Sequence, residues 1–388
     1  MKFSMRTITN TLAISVLLAA FPFSVAQNNS SVSRTGPNHG SDGRTWHFAT
    51  AGDSRNCGDV IMPAIAQAAD RDNARFYWHL GDLRAIYDFD EDMLQAAKIR
   101  SQHLSISAYE RSAWDDFTKN QVGPFGEIPF FLGIGNHETV AGLKTREQFL
   151  IQFADLLDRK ELHEQRARDA NSGTVEGPLR AYFHWTTDGI DLIYLDNATA
   201  DQFDADQLKW FADRMANDAK DESLGIVVVG MHKALPYSRS QGHSMNESPE
   251  GEASGRLVYE QLLKLQNEAH KKVYVLASHS HFYMEDIFDT PYWHSNGGVL
   301  PGWIVGTAGA HRYPLPEASG PNAKTNVYGY LLATVNPLDS PGMIQFQFKE
   351  IKEIDIPQSV VSSYTDQFVR WCFAENTDAK SAAASAGQ

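Results

Sequence analysis

Apolar positions fall in seven short runs: TWHFATA at 45–51, RFYWHLG at 75–81, IPFFLGI at 128–134, IDLIYLD at 190–196, GIVVVGM at 225–231, KVYVLAS at 272–278 and GWIVGTA at 302–308. Each is bounded by Gly, Asp, Asn, Ser or His, which is the length and punctuation of a strand. Their near-continuous hydrophobicity predicts strands covered on both faces. Between them the pattern takes a helical period, at 59–72, in one long segment at 92–121, and at 144–169, 204–220 and 255–272. Strand–helix alternation of this kind predicts a layered α/β domain. The segment 329–354 has no helical period and alternates like an antiparallel pair. Two mixed sheets flanked by helices therefore fit better than one parallel sheet.

The remaining segments organise the chain. SRSQGHSMNESPEGEASGR at 238–256 is rich in Ser, Gly, Glu and Asn and predicts a mobile loop beside a site. At the start, MKFSMR carries two positive charges and is followed by the apolar TLAISVLLAAFPFSVA at 11–26. That is the layout of a signal peptide over 1–26, and it predicts an exported protein, periplasmic or extracellular. No later segment approaches the ~20 apolar residues of a membrane helix, so no span is expected after cleavage. Residues 27–44 read as a flexible linker, 45–356 as the folded domain, 357–373 as a C-terminal segment packed on it and 374–388 as a disordered tail.

Charge narrows the partners. The chain of 388 residues carries a net charge of −14, which argues against a nucleic-acid partner, since a long polyanion wants a basic track. The two cysteines, Cys57 and Cys372, are a candidate disulfide in an oxidising compartment, one that would tie the C-terminal segment to the first strand region. CxxC and zinc-ribbon spacings are both absent from the sequence.

The chemistry lies just past the strands, where open α/β sheets bind ligands. The first run is followed by Asp53, the second by Asp82, the third by Asn136 and His137, the fifth by His232 and the sixth by His279 and His281. Imidazole nitrogen with carboxylate and amide oxygen suits Zn, Fe or Mn, whereas a calcium site would not take so much imidazole. A histidine or a Gly-Asp turn at one strand end is ordinary turn chemistry. The whole set in this order is not.

Asp53, Gly81-Asp82, Gly135-Asn136-His137-Glu138, His232 and His279-Ser280-His281 resemble the motifs of the calcineurin-like metallophosphoesterases, which include purple acid phosphatases. The likeness runs over about residues 46–310. It implies a four-layer α/β/β/α sandwich holding one or two divalent or trivalent ions and acting on a small phosphorylated substrate. Asp82 would bridge two metals, Asn136, His232 and His279 would complete one, and Asp53 and His281 would hold the other. A metal-activated water would attack phosphorus in line. His137 would protonate the leaving alkoxide, steadied by Glu138 or Asp82.

The chain departs from that pattern at its first motif. Asp-x-His is common there, whereas here Asp53-Ser54-Arg55 places an arginine, which has no lone pair for a metal. Purple acid phosphatases use a tyrosine three residues after the second-motif Asp. Here that position is Ala85, the nearest phenol is Tyr87, and the acid of GDxxD is missing although Asp88 lies nearby. Ser278 replaces the usual glycine of the last motif. The departure admits three readings. Tyr87, or else Cys57 or His79, fills the gap. Alternatively the guanidinium of Arg55 stands in for a cation and binds phosphate. In the third, the site has decayed into a secreted protein that binds a phosphorylated ligand without turnover. Arg84 reads as a second phosphate contact or a solvated loop arginine, and His243 and His311 as substrate contacts or ordinary residues. Tyr109, Trp114 and Phe117 sit at helical spacing and read as packing residues.

Overall fold

The computed structural model describes residues 43–140, 144–170, 178–240 and 242–377. The expected signal peptide, most of the linker and residues 378–388 lie outside this range. In order, the elements are β1 (Trp46–Ala51), α1 (Gly58–Arg71), β2 (Ala74–His79), α2 (Glu91–Ile99), α3 (Ile106–Phe117), β3 (Phe130–Leu132), α4 (Arg146–Gln152), α5 (Ala154–Leu157) and α6 (Lys160–Asp169). They continue with β4 (Phe183–Thr187), β5 (Ile190–Leu195), α7 (Ala205–Asp218), β6 (Ile226–Met231), α8 (Pro249–Glu268), β7 (Lys272–Ala277), β8 (Tyr283–Glu285), α9 (Pro291–Ser295) and β9 (Gly302–Val305). The last are β10 (Ala323–Lys324), β11 (Tyr328–Val335), β12 (Ile344–Ile351), α10 (Gln358–Tyr364) and α11 (Asp366–Ala374).

The strands form two mixed sheets, one of five in the order β12-β11-β1-β2-β3 and one of seven in the order β10-β8-β9-β7-β6-β5-β4. Within the first, β1, β2 and β3 are parallel, and β11 and β12 add the antiparallel pair expected at the chain end. In the second, β5, β6, β7 and β9 are parallel. The all-buried β5 and β6 confirm strands covered on both faces. The sheets meet through aromatic rings: Phe131 of β3 stacks on Trp185 of β4 at 4.0 Å, and Trp78 of β2 meets the same ring edge-on at 5.3 Å. Gly230 of β6 lets the Trp78 ring approach, since a Cβ there would stand 2.6 Å from it.

Four expectations need correction. The long helix over 92–121 is two helices, because Ser101 turns the chain at φ 53° and Ser105 starts α3 afresh by accepting the N–H of Ala108. Tyr109, Trp114 and Phe117 are nevertheless buried on it. The segment 144–169 is three short helices. The loop expected at 238–256 is partly helical: Ser248 caps α8 by accepting the N–H of Gly251, Pro249 occupies its first turn, and Gly255 packs against Pro236 and Met245. Its residue 241 lies outside the described set. The tail expected from 374 is still packed at Asn376, whose buried amide donates to the Gly309 carbonyl and to Tyr328 Oη.

Cys57 and Cys372 form a disulfide across 315 residues. It fastens α11 to the turn that follows β1.

Candidate metal and phosphate site

The parallel strands deliver the site from their carboxyl ends, in the same corner of both sheets. Three of its residues, Asp53, Asp82 and His279, sit in the left-handed region at φ 61°, 59° and 64°. That conformation costs a non-glycine residue about 1 kcal/mol or more, and it turns these side chains sharply back over the strand ends. Glycine is required where the second and third motifs touch. Gly81, at φ 95°, would place a Cβ 2.6 Å from Gly135 N, and a Cβ on Gly135 would stand 2.3 Å from Asp82 N.

Three side-chain atoms converge on His232. Its Nδ1 lies 3.0 Å from the Leu80 carbonyl, so that nitrogen carries hydrogen and Nε2 points inward. Nε2 lies 2.9 Å from Asn136 Oδ1, 3.1 Å from His279 Nδ1 and 3.3 Å from Asp82 Oδ1. Two acceptor oxygens this close to one imidazole nitrogen need a positive charge between them. Without a metal a proton serves: burial pulls the His232 imidazole down, but Asp82 outweighs it and pushes it up to about 9. The donors and their convergence fit a first-row cation, and Asp82, His232 and His279 form a group that could hold one.

The neighbouring group, Asp53, Asp82 and His281, could also hold a cation by its donor atoms. Here Arg55 intervenes. His281 Nδ1 donates to the His311 carbonyl at 2.7 Å, so its Nε2 lone pair faces inward, where Arg55 Nη2 meets it at 3.1 Å and Asp53 Oδ1 lies at 3.2 Å. Arg55 Nη1 reaches His137 Nε2 at 2.5 Å, while His137 Nδ1 donates to the Ala85 carbonyl at 2.6 Å. Asp53 Oδ1, Asp82 Oδ2 and Arg55 Nε are buried without hydrogen-bond partners, the last two 3.8 Å apart. Burial, then Arg55, lowers the His137 imidazole to about 3, so it is neutral and accepts.

The other candidates divide. Glu138 does not steady His137, because its carboxylate is held by the N–H groups of Asp82, Leu83 and Gly135 at 2.8–2.9 Å. Tyr87 is 58% exposed, stacks on His137 at 4.7 Å and brings its hydroxyl 3.3 Å from His137 Nε2. Cys57 is spent in the disulfide, and His79 lies beneath, bonded to Ser54 Oγ and to the N–H of Gly81. Arg84 is neither a phosphate contact nor solvated. It is wholly buried among Asp59, Asp90, Asp92 and Asp116, which the sequence scatters over three helices and a turn. His243 stands 5.5 Å from the ring of His279 and, with Glu247, could share a third cation group with it. Sequence reading passed over Tyr313, which stacks on His281 at 4.0 Å, and the buried Lys233, whose ammonium bridges Asp201 and Glu247 at 2.7 Å. The only signal for either was its place beside a histidine, His311 or His232.

No protein-family model and no curated protein matches the chain. Among solved structures it is similar to purple acid phosphatase PPD1 from yellow lupin (Lupinus luteus) seeds, with TM-score 0.51, 13% identity and coverage of 81% of this chain and 53% of that one. It spans about half the length of the lupin protein. GAP50, the anchor in the inner membrane complex of Plasmodium, gives TM-score 0.45 at 10% identity, covering 86% of this chain and 96% of that one. PhoD gives TM-score 0.45 at 13% identity, covering 79% and 72%. Among the described residues no helix is long and apolar enough to cross a membrane. Two mixed sheets flanked by helices, matched to the lupin phosphatase over most of this chain, give it an α/β fold shared with that protein.

Proposed function

We propose that this protein hydrolyses a phosphate ester of a small molecule with the help of a first-row metal ion, Fe, Zn or Mn. The observation that carries the reading is the inward quartet of Asn136 Oδ1, Asp82 Oδ1, His232 Nε2 and His279 Nδ1. A cation held there would supply positive charge for the phosphoryl oxygens and a nucleophile made from water at neutral pH. The chain's own groups do the rest. Arg55 offers two N–H donors to a phosphate, and Asp82 orients the His137 turn by accepting its backbone N–H at 3.0 Å. His137 is neutral in the free protein. A phosphate dianion beside it would raise its proton affinity and compete for the Arg55 hydrogens, so its role as proton donor belongs to the complex. The leader-like residues 1–26 and the Cys57–Cys372 bridge support export to an oxidising compartment.

A second reading has an observation of its own. Arg55 already satisfies His281 and His137, as a protein that binds a phosphorylated ligand without turnover would arrange. One experiment separates the two. Protein stripped with chelator and reloaded with Zn²⁺, Mn²⁺ or Fe²⁺ is assayed on phosphate monoesters and diesters beside Asp82→Ala and Asn136→Ala. Metal-restored turnover that both variants lose supports the hydrolase. Tight phosphate binding without turnover under every metal supports the binding protein.

A further inference from the structure

We infer that this centre takes one metal ion and not two, with the guanidinium of Arg55 as the permanent second cation; the inference rests on the phosphoesterase reading above. His281 Nε2 has a single lone pair, and Arg55 Nη2 lies against it at 3.1 Å. A metal and an N–H cannot share that lone pair. The guanidinium is in turn held by His137 at 2.5 Å and by the facing carboxylate of Asp82, and Arg55 is only 5% exposed. It therefore has no solvent-side position to retreat to without leaving the inward nitrogens of His137 and His281 without their donor.

Charge points the same way. Two carboxylates, Asp53 and Asp82, face Arg55, and one divalent ion leaves the centre with a modest net positive charge that a phosphate can offset. A second divalent ion would add two more positive charges among largely buried side chains, where repulsion is less screened than in water. The donor sets differ accordingly. Four side-chain atoms meet at His232, whereas the Asp53 side offers three donors and a cation already among them. Asp82 joins the halves, with Oδ1 towards His232 at 3.3 Å and Oδ2 towards Arg55 Nε at 3.8 Å. A substrate phosphate would then bridge metal and guanidinium, and Arg55 would be a catalytic residue that neutralises and orients one phosphoryl edge.

The test counts metals. Chelator-stripped protein is titrated with Mn²⁺ by calorimetry, bound metal is measured by elemental analysis, and the loaded protein is examined by electron paramagnetic resonance. One Mn²⁺ per chain with the six-line signal of an isolated ion is expected. Arg55→His, which places a neutral nitrogen donor on the Asp53 side, is expected to take two and to show a coupled pair. Inorganic phosphate should inhibit Arg55→Ala about tenfold less well than the wild type, with the metal count still one. Two ions per chain in the wild type, with turnover, overturn this inference and leave the phosphoesterase reading standing. No bound ion and no turnover overturn both. The wild-type signal decides the question even if Arg55→His does not fold.

Discussion

Arg84 and Arg55 both leave loops at the carboxyl ends of neighbouring strands, and both are buried, yet their surroundings differ in kind. Around Arg84 stand four carboxylates, Asp92 at 2.9 Å, Asp90 at 3.9 Å, and Asp59 and Asp116 in closer contact. Tyr364 and Tyr109 donate to Asp59 and Asp90 at 2.6 Å, completing a closed network. Arg55 meets two neutral imidazoles directly and keeps its carboxylates at the edge of ion-pair range. Both terminal nitrogens of the first guanidinium are taken by carboxylates. The second is held by acceptors that a phosphate could displace. Burial alone therefore does not separate a structural arginine from a working one; the partners do.

The comparison breaks most readily at Arg84. Replacing it with Met leaves three buried carboxylates and the partly exposed Asp116 without their cation and should cost about 5 kcal/mol in urea unfolding. If the variant is as stable as the wild type, the network is not structural. Next comes the turn that joins the two regions, since residues 53–59 carry Asp53, Arg55, Cys57 and Asp59. Opening the disulfide with Cys57→Ser and Cys372→Ser should cost about 4 kcal/mol, because the bond closes a long loop in the unfolded chain.

A titratable relative of Arg84 comes third. His184 donates to Asp191 and to Asp169 at 2.8 Å; burial pulls its imidazole down, but the two carboxylates prevail and push it to about 9 from 6.5. Its folded pKa is raised, so its stabilisation is complete below about pH 6.5 and is lost as pH rises through about 9. Unfolding free energy should fall by about 3 kcal/mol over that window, and His184→Gln should flatten the fall. The smallest effect sharpens the Arg55 side: Arg55→Lys keeps the charge but loses the two-pronged geometry, and should lower kcat/KM about thirtyfold with the fold unchanged.

Much of the architecture is written in local pattern. The seven apolar runs are strands, and the residues just past five of them converge, because a parallel strand projects its next loop from its carboxyl end. β4 was missed since FHWTT mixes polar and aromatic residues, with His184 buried in it through ion pairs that only the fold supplies. The start of α8 was hidden by composition, although Ser248, Pro249 and Glu250 are helix-start residues in the right order. Arg84 was misjudged because Asp59, Asp90, Asp92 and Asp116 become neighbours only after α1, α2 and α3 pack. The contact between Arg55 and the two histidines is likewise tertiary, since positions 137 and 281 are far from 55 in the chain.

The sheet order sets a sequence of assembly. β1 has β2 on one side and β11 on the other, with Trp46 opposite Val335 and Thr50 opposite Leu331. Until residues 328–335 have left the ribosome, β1 is an edge with a row of unpaired N–H and C=O groups, and the turn bearing Asp53 and Arg55 hangs from it. The centre is therefore among the last parts of the molecule to exist. A chain that stops before β11 would be a sticky fragment with every metal-site residue present and the strand that leads to Asp53 and Arg55 left as an open edge.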